Sequence, residues 1–63
     1  SCVIQYKGVY YSCGPNGIDF SKNDGQTWTK LTTGKFYTLT AHKKNLYASA
    51  DKGRLAKFKI QKK

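Results

Sequence analysis

The stretch Ser21-Lys22-Asn23-Asp24-Gly25-Gln26-Thr27-Trp28 constrains this chain more than any other. A run of β-forming residues, Ile18 to Ser21, leads into it, and a second, Thr27 to Leu31, leads out. Between them Asn23-Asp24-Gly25 is a tight-turn signal. Asn and Asp side chains bond nearby backbone N–H groups and tolerate left-handed dihedrals. Gly25 takes a positive φ without a Cβ clash. Thr27 and Trp28 then open the return strand, and Trp28 is expected to bury its ring. The local chemistry demands a hairpin here, and so an antiparallel sheet.

The rest of the chain fits that demand. Cys2–Tyr6 and Val9–Cys13 read as strands joined by Lys7-Gly8, a two-residue turn that sets Tyr6 opposite Val9 and Cys2 opposite Cys13. Gly14-Pro15-Asn16-Gly17 is a turn, and Ile18-Asp19-Phe20-Ser21 alternates as a half-buried strand does. After a break at 32–35, Phe36–Ala41 and Leu46–Ala50 are β-rich and flank a turn at 42–45. Asp51-Lys52-Gly53 turns the chain again. A last strand runs from Arg54 to Ile60, with Ala56, Phe58 and Ile60 on one side and Lys57 and Lys59 on the other. No segment carries a helical period. The expected fold class is all-β, an antiparallel β-meander.

With 63 residues the chain holds at most one small domain, marginal unless a disulfide, a metal or association helps it. Cys2 and Cys13 face each other across the first hairpin, so a disulfide is open to them; two reduced thiols packed as small apolar groups is the other reading. Two cysteines and the single histidine, His42, are too few for a zinc site, and a Cys/His nucleophilic pair has nothing to support it beyond the two residue types. No apolar run is long enough to span a bilayer. The sequence opens without a signal-peptide pattern, so any targeting segment is expected to have been removed or to lie on a longer precursor.

An internal repeat is also present. Lys7-Gly8-Val9-Tyr10-Tyr11-Ser12 resembles Lys44-Asn45-Leu46-Tyr47-Ala48-Ser49, and each is followed by a polar turn ending in glycine, Gly17 or Gly53. The offset is about 36–37 residues, near the size of a four-stranded propeller blade.

The pattern Ser21-x-Asn23-x-Gly25-x-Thr27-Trp28 resembles the Asp-box, or BNR repeat, of sialidase-type β-propellers and of the photosystem II assembly-factor-like proteins of bacteria. Asn23 stands where the box has Asp, with Asp24 one place later. The second copy keeps Ser49, Asp51 and Gly53 at box-like spacing but has Leu55-Ala56 in place of Thr-Trp, and reads as an ordinary turn. The resemblance implies about one and a half blades: residues 2–31 supply a blade with its Asp-box hairpin, and 36–60 the inner strands of the next. It makes Ser21, Asn23, Asp24, Gly25, Thr27 and Trp28 structural, and it favours an extracytoplasmic location, periplasmic or secreted. It also implies partners, either the remainder of a propeller or other chains completing the fold. Ile18, Phe20, Trp28, Phe36, Leu39, Leu46, Phe58 and Ile60 are too many large apolar groups for one thin sheet to cover.

Catalytic readings find little to stand on. Sialidase-like chemistry needs an arginine cluster and a tyrosine–glutamate pair, whereas the chain has one arginine, Arg54, and no glutamate. Asp19, Asp24 and Asp51 each have a turn or strand explanation, and no nucleotide fingerprint, calcium loop or cofactor signature is present. Twelve Lys and Arg against three acids, a formal +9, point instead to anionic partners. Lys52, Arg54, Lys57 and Lys59 are the expected anion-binding group. Two functions are expected: a non-catalytic propeller segment acting as scaffold or as a platform for ligand or protein, or a small basic module for nucleic acid or anionic glycans. In the second, Tyr6, Tyr10, Tyr11, Tyr37 and Tyr47 are the rings on which bases would stack.

Overall fold

The computed structural model describes residues 2–63, and the fold is all-β. Strands β1 (Cys2–Tyr6), β2 (Val9–Gly14), β3 (Gly17–Ser21) and β4 (Thr29–Thr32) form one antiparallel sheet in the order 1-2-3-4. Strands β5 (Phe36–His42), β6 (Asn45–Ala50) and β7 (Leu55–Lys59) form a second, in the order 5-6-7. Each sheet is a meander of sequential neighbours. A single 3₁₀ turn, Asp51–Gly53, joins β6 to β7, and there is no α-helix among the described residues.

The registers follow from the turns. Lys7-Gly8 closes β1 onto β2 with Cys2 opposite Cys13 and Tyr6 opposite Val9, as the two-residue loop requires. Lys43-Lys44 closes β5 onto β6 the same way, with His42 opposite Asn45. At the start of β3, Gly17 adopts a φ of +124°, and a Cβ there would run into the carbonyl oxygen of Thr32. Only glycine lets β4 come this close, next to the register shift between Ile18 and Asp19 that bends β3.

The two sheets share one core. Val9, Tyr11 and Cys13 point from alternate positions of β2, as strand geometry dictates, and meet Ile18 of β3 with Phe36, Leu39, Leu46 and Ala48 of the second sheet. Strand β5 lies against β1 and β2, which brings the faces together. Fully burying a side chain of the size of Ile18 or Leu46 stabilises by about 1.5–3 kcal/mol. Phe20, Phe58 and Ile60 are half-buried around this core, and the rings of Phe36 and Phe58 meet edge to face at 6.3 Å. Much of the apolar surface that a single sheet would leave open is therefore covered by the other sheet.

Trp28 departs from the sequence-based expectation of a buried ring. It is 43% exposed. Its indole Nε1 donates to the carbonyl of Gly25 at 3.0 Å, folding the ring back over the turn and away from the core. The return strand also starts later than expected, at Thr29 in place of Thr27. The backbone N–H of Thr27 is taken by Asn23 Oδ1 at 2.9 Å, so it is not free for the ladder. Trp28 sits before the pleat begins and inherits no inward direction from it.

Candidate anion-binding cleft

The Ser21–Trp28 turn is held by its own side chains. Ser21 is buried, and its hydroxyl accepts from the backbone N–H of Gly25 at 2.8 Å while donating to Asn23 Oδ1 at 2.9 Å. Asn23 Nδ2 donates in turn to Thr27 Oγ1 at 2.8 Å. Asp24 holds a φ of 62° and Gly25 of 86°, the left-handed pair that lets the chain reverse. These residues are consumed by the turn's own structure. Asp19, opposite Lys30 in the register, makes an ion pair with it at 3.2 Å, and Lys30 also donates to the carbonyl of Asn16 at 3.0 Å. Among the described residues no three His, Cys, Asp or Glu side chains gather as metal ligands would.

The cationic side chains converge at one end of the strands. The first sheet also carries the Ser21–Trp28 turn at this end, since Val9 lies opposite Tyr6 and Tyr10 opposite Ser21. The two-residue turns Lys7-Gly8 and Lys43-Lys44 lie side by side there, tied together by the Tyr6 hydroxyl, which donates to the carbonyl of Lys43 at 3.0 Å. The segment after β7 crosses this end. The backbone N–H of Ile60 donates to the Lys44 carbonyl at 2.9 Å, and that of Gln61 to the Tyr11 hydroxyl at 2.9 Å. Lys63 then lies over Gly8, where a Cβ would come within 2.8 Å of its Cδ. The result is a cleft of roughly 720 Å³ lined by Lys7, Lys43, Lys44, Lys59, Lys62 and Lys63, with Asn45, Ile60 and Gln61 between them. Among the described residues no acidic side chain lines it.

This grouping differs from the one expected from sequence. Of Lys52, Arg54, Lys57 and Lys59, only Lys59 lines the cleft. Lys52 and Arg54 lie at the far end of the second sheet, because β7 runs from Leu55 opposite Ser49 to Lys59 opposite Asn45. Four residues of strand separate the two ends by about 13 Å. Arg54 borders a smaller depression beside Asp51, Lys35 and Phe36. Lys57 is exposed on the outer side of β7. Lys7, Lys43, Lys44, Lys62 and Lys63 were not singled out by sequence reasoning. The repeat held the signal, since it aligns Lys7 with Lys44 at the start of equivalent hairpins, and a blunt Lys62-Lys63 pair follows the last strand.

Cys2 and Cys13 are free thiols whose sulfurs lie 3.3 Å apart, in the register that the first hairpin imposes. Burial pushes the Cys13 thiol above its ordinary value of 9.0, and the hydrogen bond to Cys2 adds to the effect. The hydrogen-bonded partner of Cys13 is thus Cys2, with no part played by His42, which is exposed at the end of β5. Comparison with models of known families, with curated proteins and with solved structures found no match to this chain.

Proposed function

We propose that this chain is a non-catalytic binding platform whose lysine-lined end takes an anionic ligand, on a scaffold of the Asp-box propeller type. The observation that carries the reading is the convergence of Lys7, Lys43, Lys44, Lys59, Lys62 and Lys63 from three separate segments onto one cleft free of acidic side chains. Ammonium groups crowded on one surface repel one another, and an anion placed among them relieves that repulsion. The scaffold half of the reading is supported by the two consecutive meanders and by the Ser21, Asn23, Gly25 and Thr27 hydrogen bonds that close the β3–β4 hairpin. In a propeller each blade packs its faces against the neighbouring blades, so the rest of such a ring, or other chains completing it, are the proposed protein partners.

A second reading keeps the same surface on a self-sufficient small module, and the core shared by the two sheets favours it. Sedimentation of the isolated chain separates the two: a monomer that unfolds cooperatively selects the module, and association selects the propeller segment. Binding itself is tested by retention on an immobilised polyanion across a salt series. Affinity for phosphate-rich ligands falls steeply with salt when cations supply it. Salt-independent retention, or none at low salt, defeats the platform reading.

A further inference from the structure

We infer that the lysine cleft is a site for a compact anion carrying several phosphate groups, of the size of an inositol polyphosphate or a short inorganic polyphosphate, in preference to a nucleic-acid strand. The inference rests on the platform reading above and assigns its ligand class.

The first argument is donor chemistry. Every cation on the cleft is a lysine. An ammonium is a compact point charge with three rotatable donors, suited to oxyanions that present charge in several directions. Arginine's planar fork is what reads a carboxylate in two-point fashion, and the only arginine, Arg54, lies elsewhere.

The second is size. A volume of roughly 720 Å³ falls within the range of small-molecule sites. Two hairpin turns and the segment from Ile60 to Lys63 bound it, each fixed by backbone hydrogen bonds. Lys62 and Lys63 follow the Gln61 anchor directly and line the cleft beside the turn lysines, with the Lys63 side chain lying over Gly8. An anion with phosphates on several sides can engage lysines of all three segments at once.

The third is the lack of a stacking surface. Binding of single strands combines cations with aromatic rings on which bases stack. No aromatic side chain lines the cleft. Tyr6, which ties the two turns together, has its ring covered by Lys7 Nζ at 5.4 Å and its hydroxyl engaged by Lys43. The exposed rings Trp28, Tyr37 and Tyr47 are not among the residues that line it. Sulfated glycans share the anionic chemistry but bring one charge per sulfate, whereas a phosphate monoester brings about −1.5 to −2. Six cations in a small volume are better matched by the denser charge.

The experiment is calorimetric titration at physiological salt with inositol hexakisphosphate and inorganic tripolyphosphate, beside a single-stranded oligonucleotide and a heparin oligosaccharide. One variant combines Lys43→Gln, Lys44→Gln, Lys62→Gln and Lys63→Gln. A charge-matched control combines Lys22→Gln, Lys35→Gln, Lys52→Gln and Lys57→Gln. All eight lysines are exposed, and thermal melts verify that both variants fold. The expected result is that the two multiphosphates bind more tightly than the oligonucleotide or the glycan. The cleft variant should weaken them by about tenfold or more, as loss of charge-assisted hydrogen bonds does, and the control by far less. Equal weakening in both variants overturns the inference, because it shows diffuse charge at work. Tighter binding of the oligonucleotide or the glycan overturns it too, while leaving the platform reading intact. If no polyanion binds, both fall together.

Discussion

The buried hydroxyl of Tyr11 accepts a hydrogen bond from the backbone N–H of Gln61 at 2.9 Å, joining residues 50 apart in the chain. Tyr11 belongs to the first sheet, and Gln61 follows the last strand of the second. Tyr11→Phe removes the acceptor and keeps the ring. The expected cost is about 1 kcal/mol, the net worth of one such bond. Amide hydrogen exchange at Gln61 should accelerate well beyond that at Leu46, which lies in the core. Unchanged protection at Gln61 would show that the crossing segment is held by something else.

Asn23 is expected to be the most sensitive polar residue of the β3–β4 turn. Its Oδ1 takes the Ser21 hydroxyl and the Thr27 N–H, and its Nδ2 reaches Thr27 Oγ1. Asn23→Ala loses all three and should cost about 1–3 kcal/mol in chemical unfolding. Asn23→Asp keeps both acceptor roles, and the Thr27 hydroxyl can turn to donate to it, so its stability should stay within about 0.5 kcal/mol of the parent. An Asp variant as weak as the Ala variant would refute this account of the turn.

The fluorescence of Trp28, the only tryptophan, reports its surroundings directly. Its emission should be that of a partly hydrated indole and readily quenched by acrylamide. Trp28→Ala should cost less than Leu46→Ala, for which a fully buried leucine sets an expectation of about 2–5 kcal/mol. Blue-shifted, unquenchable emission would place the ring inside after all.

Two glycines with positive φ should behave differently. At Gly17 a methyl group meets the backbone of Thr32, which cannot swing aside, whereas at Gly53 nothing lies within 4 Å. Gly53→Ala carries only the left-handed backbone penalty, about 1–2 kcal/mol. Gly17→Ala should exceed it clearly in thermal unfolding. Equal costs would mean that β4 can move away from position 17.

The thiol pair predicts a redox and a pH effect. With glutathione disulfide as oxidant, Cys2 and Cys13 should close to a disulfide, releasing two equivalents of reduced glutathione and raising stability by up to about 3 kcal/mol. Mass spectrometry under native conditions should show the loss of two hydrogens, and Cys2→Ser should abolish it. In the reduced protein the Cys13 thiol is held above its ordinary value of 9.0 by burial. The unfolded chain therefore gives up that proton first as the pH rises. Stability from this group is complete below pH 9 and declines above it. Cys13→Ala should flatten the decline.

Most of the fold was legible in the sequence, because its determinants are local. Lys7-Gly8 alone sets the Cys2–Cys13 register, and alternation along Val9 to Cys13 marks the buried face. Trp28 was misjudged because its fate depends on a competition that spacing does not display: the Gly25 carbonyl was a free acceptor within reach of the indole. The candidate site was nearly illegible. Lys7, Lys43 and Lys63 meet only because Tyr6 bonds Lys43 and Gln61 bonds Tyr11, contacts that no local pattern encodes. Lys52 and Arg54, close to Lys59 in sequence, are carried to the other end by a single strand.

Half of the twelve cationic residues line one end of the strands, so the molecule is electrically lopsided. An ion-exchange matrix senses the patch that faces it more than the sum over the whole surface. The chain should elute from a cation exchanger later than a protein with the same +9 spread evenly, and it should dock on the resin with the Lys43-Lys44 turn foremost. The Ser21–Trp28 turn leaves the first sheet at this same end, since Ser21 lies opposite Tyr10. The exposed Trp28, which does not line the cleft, should therefore sit near the docked surface and report on it.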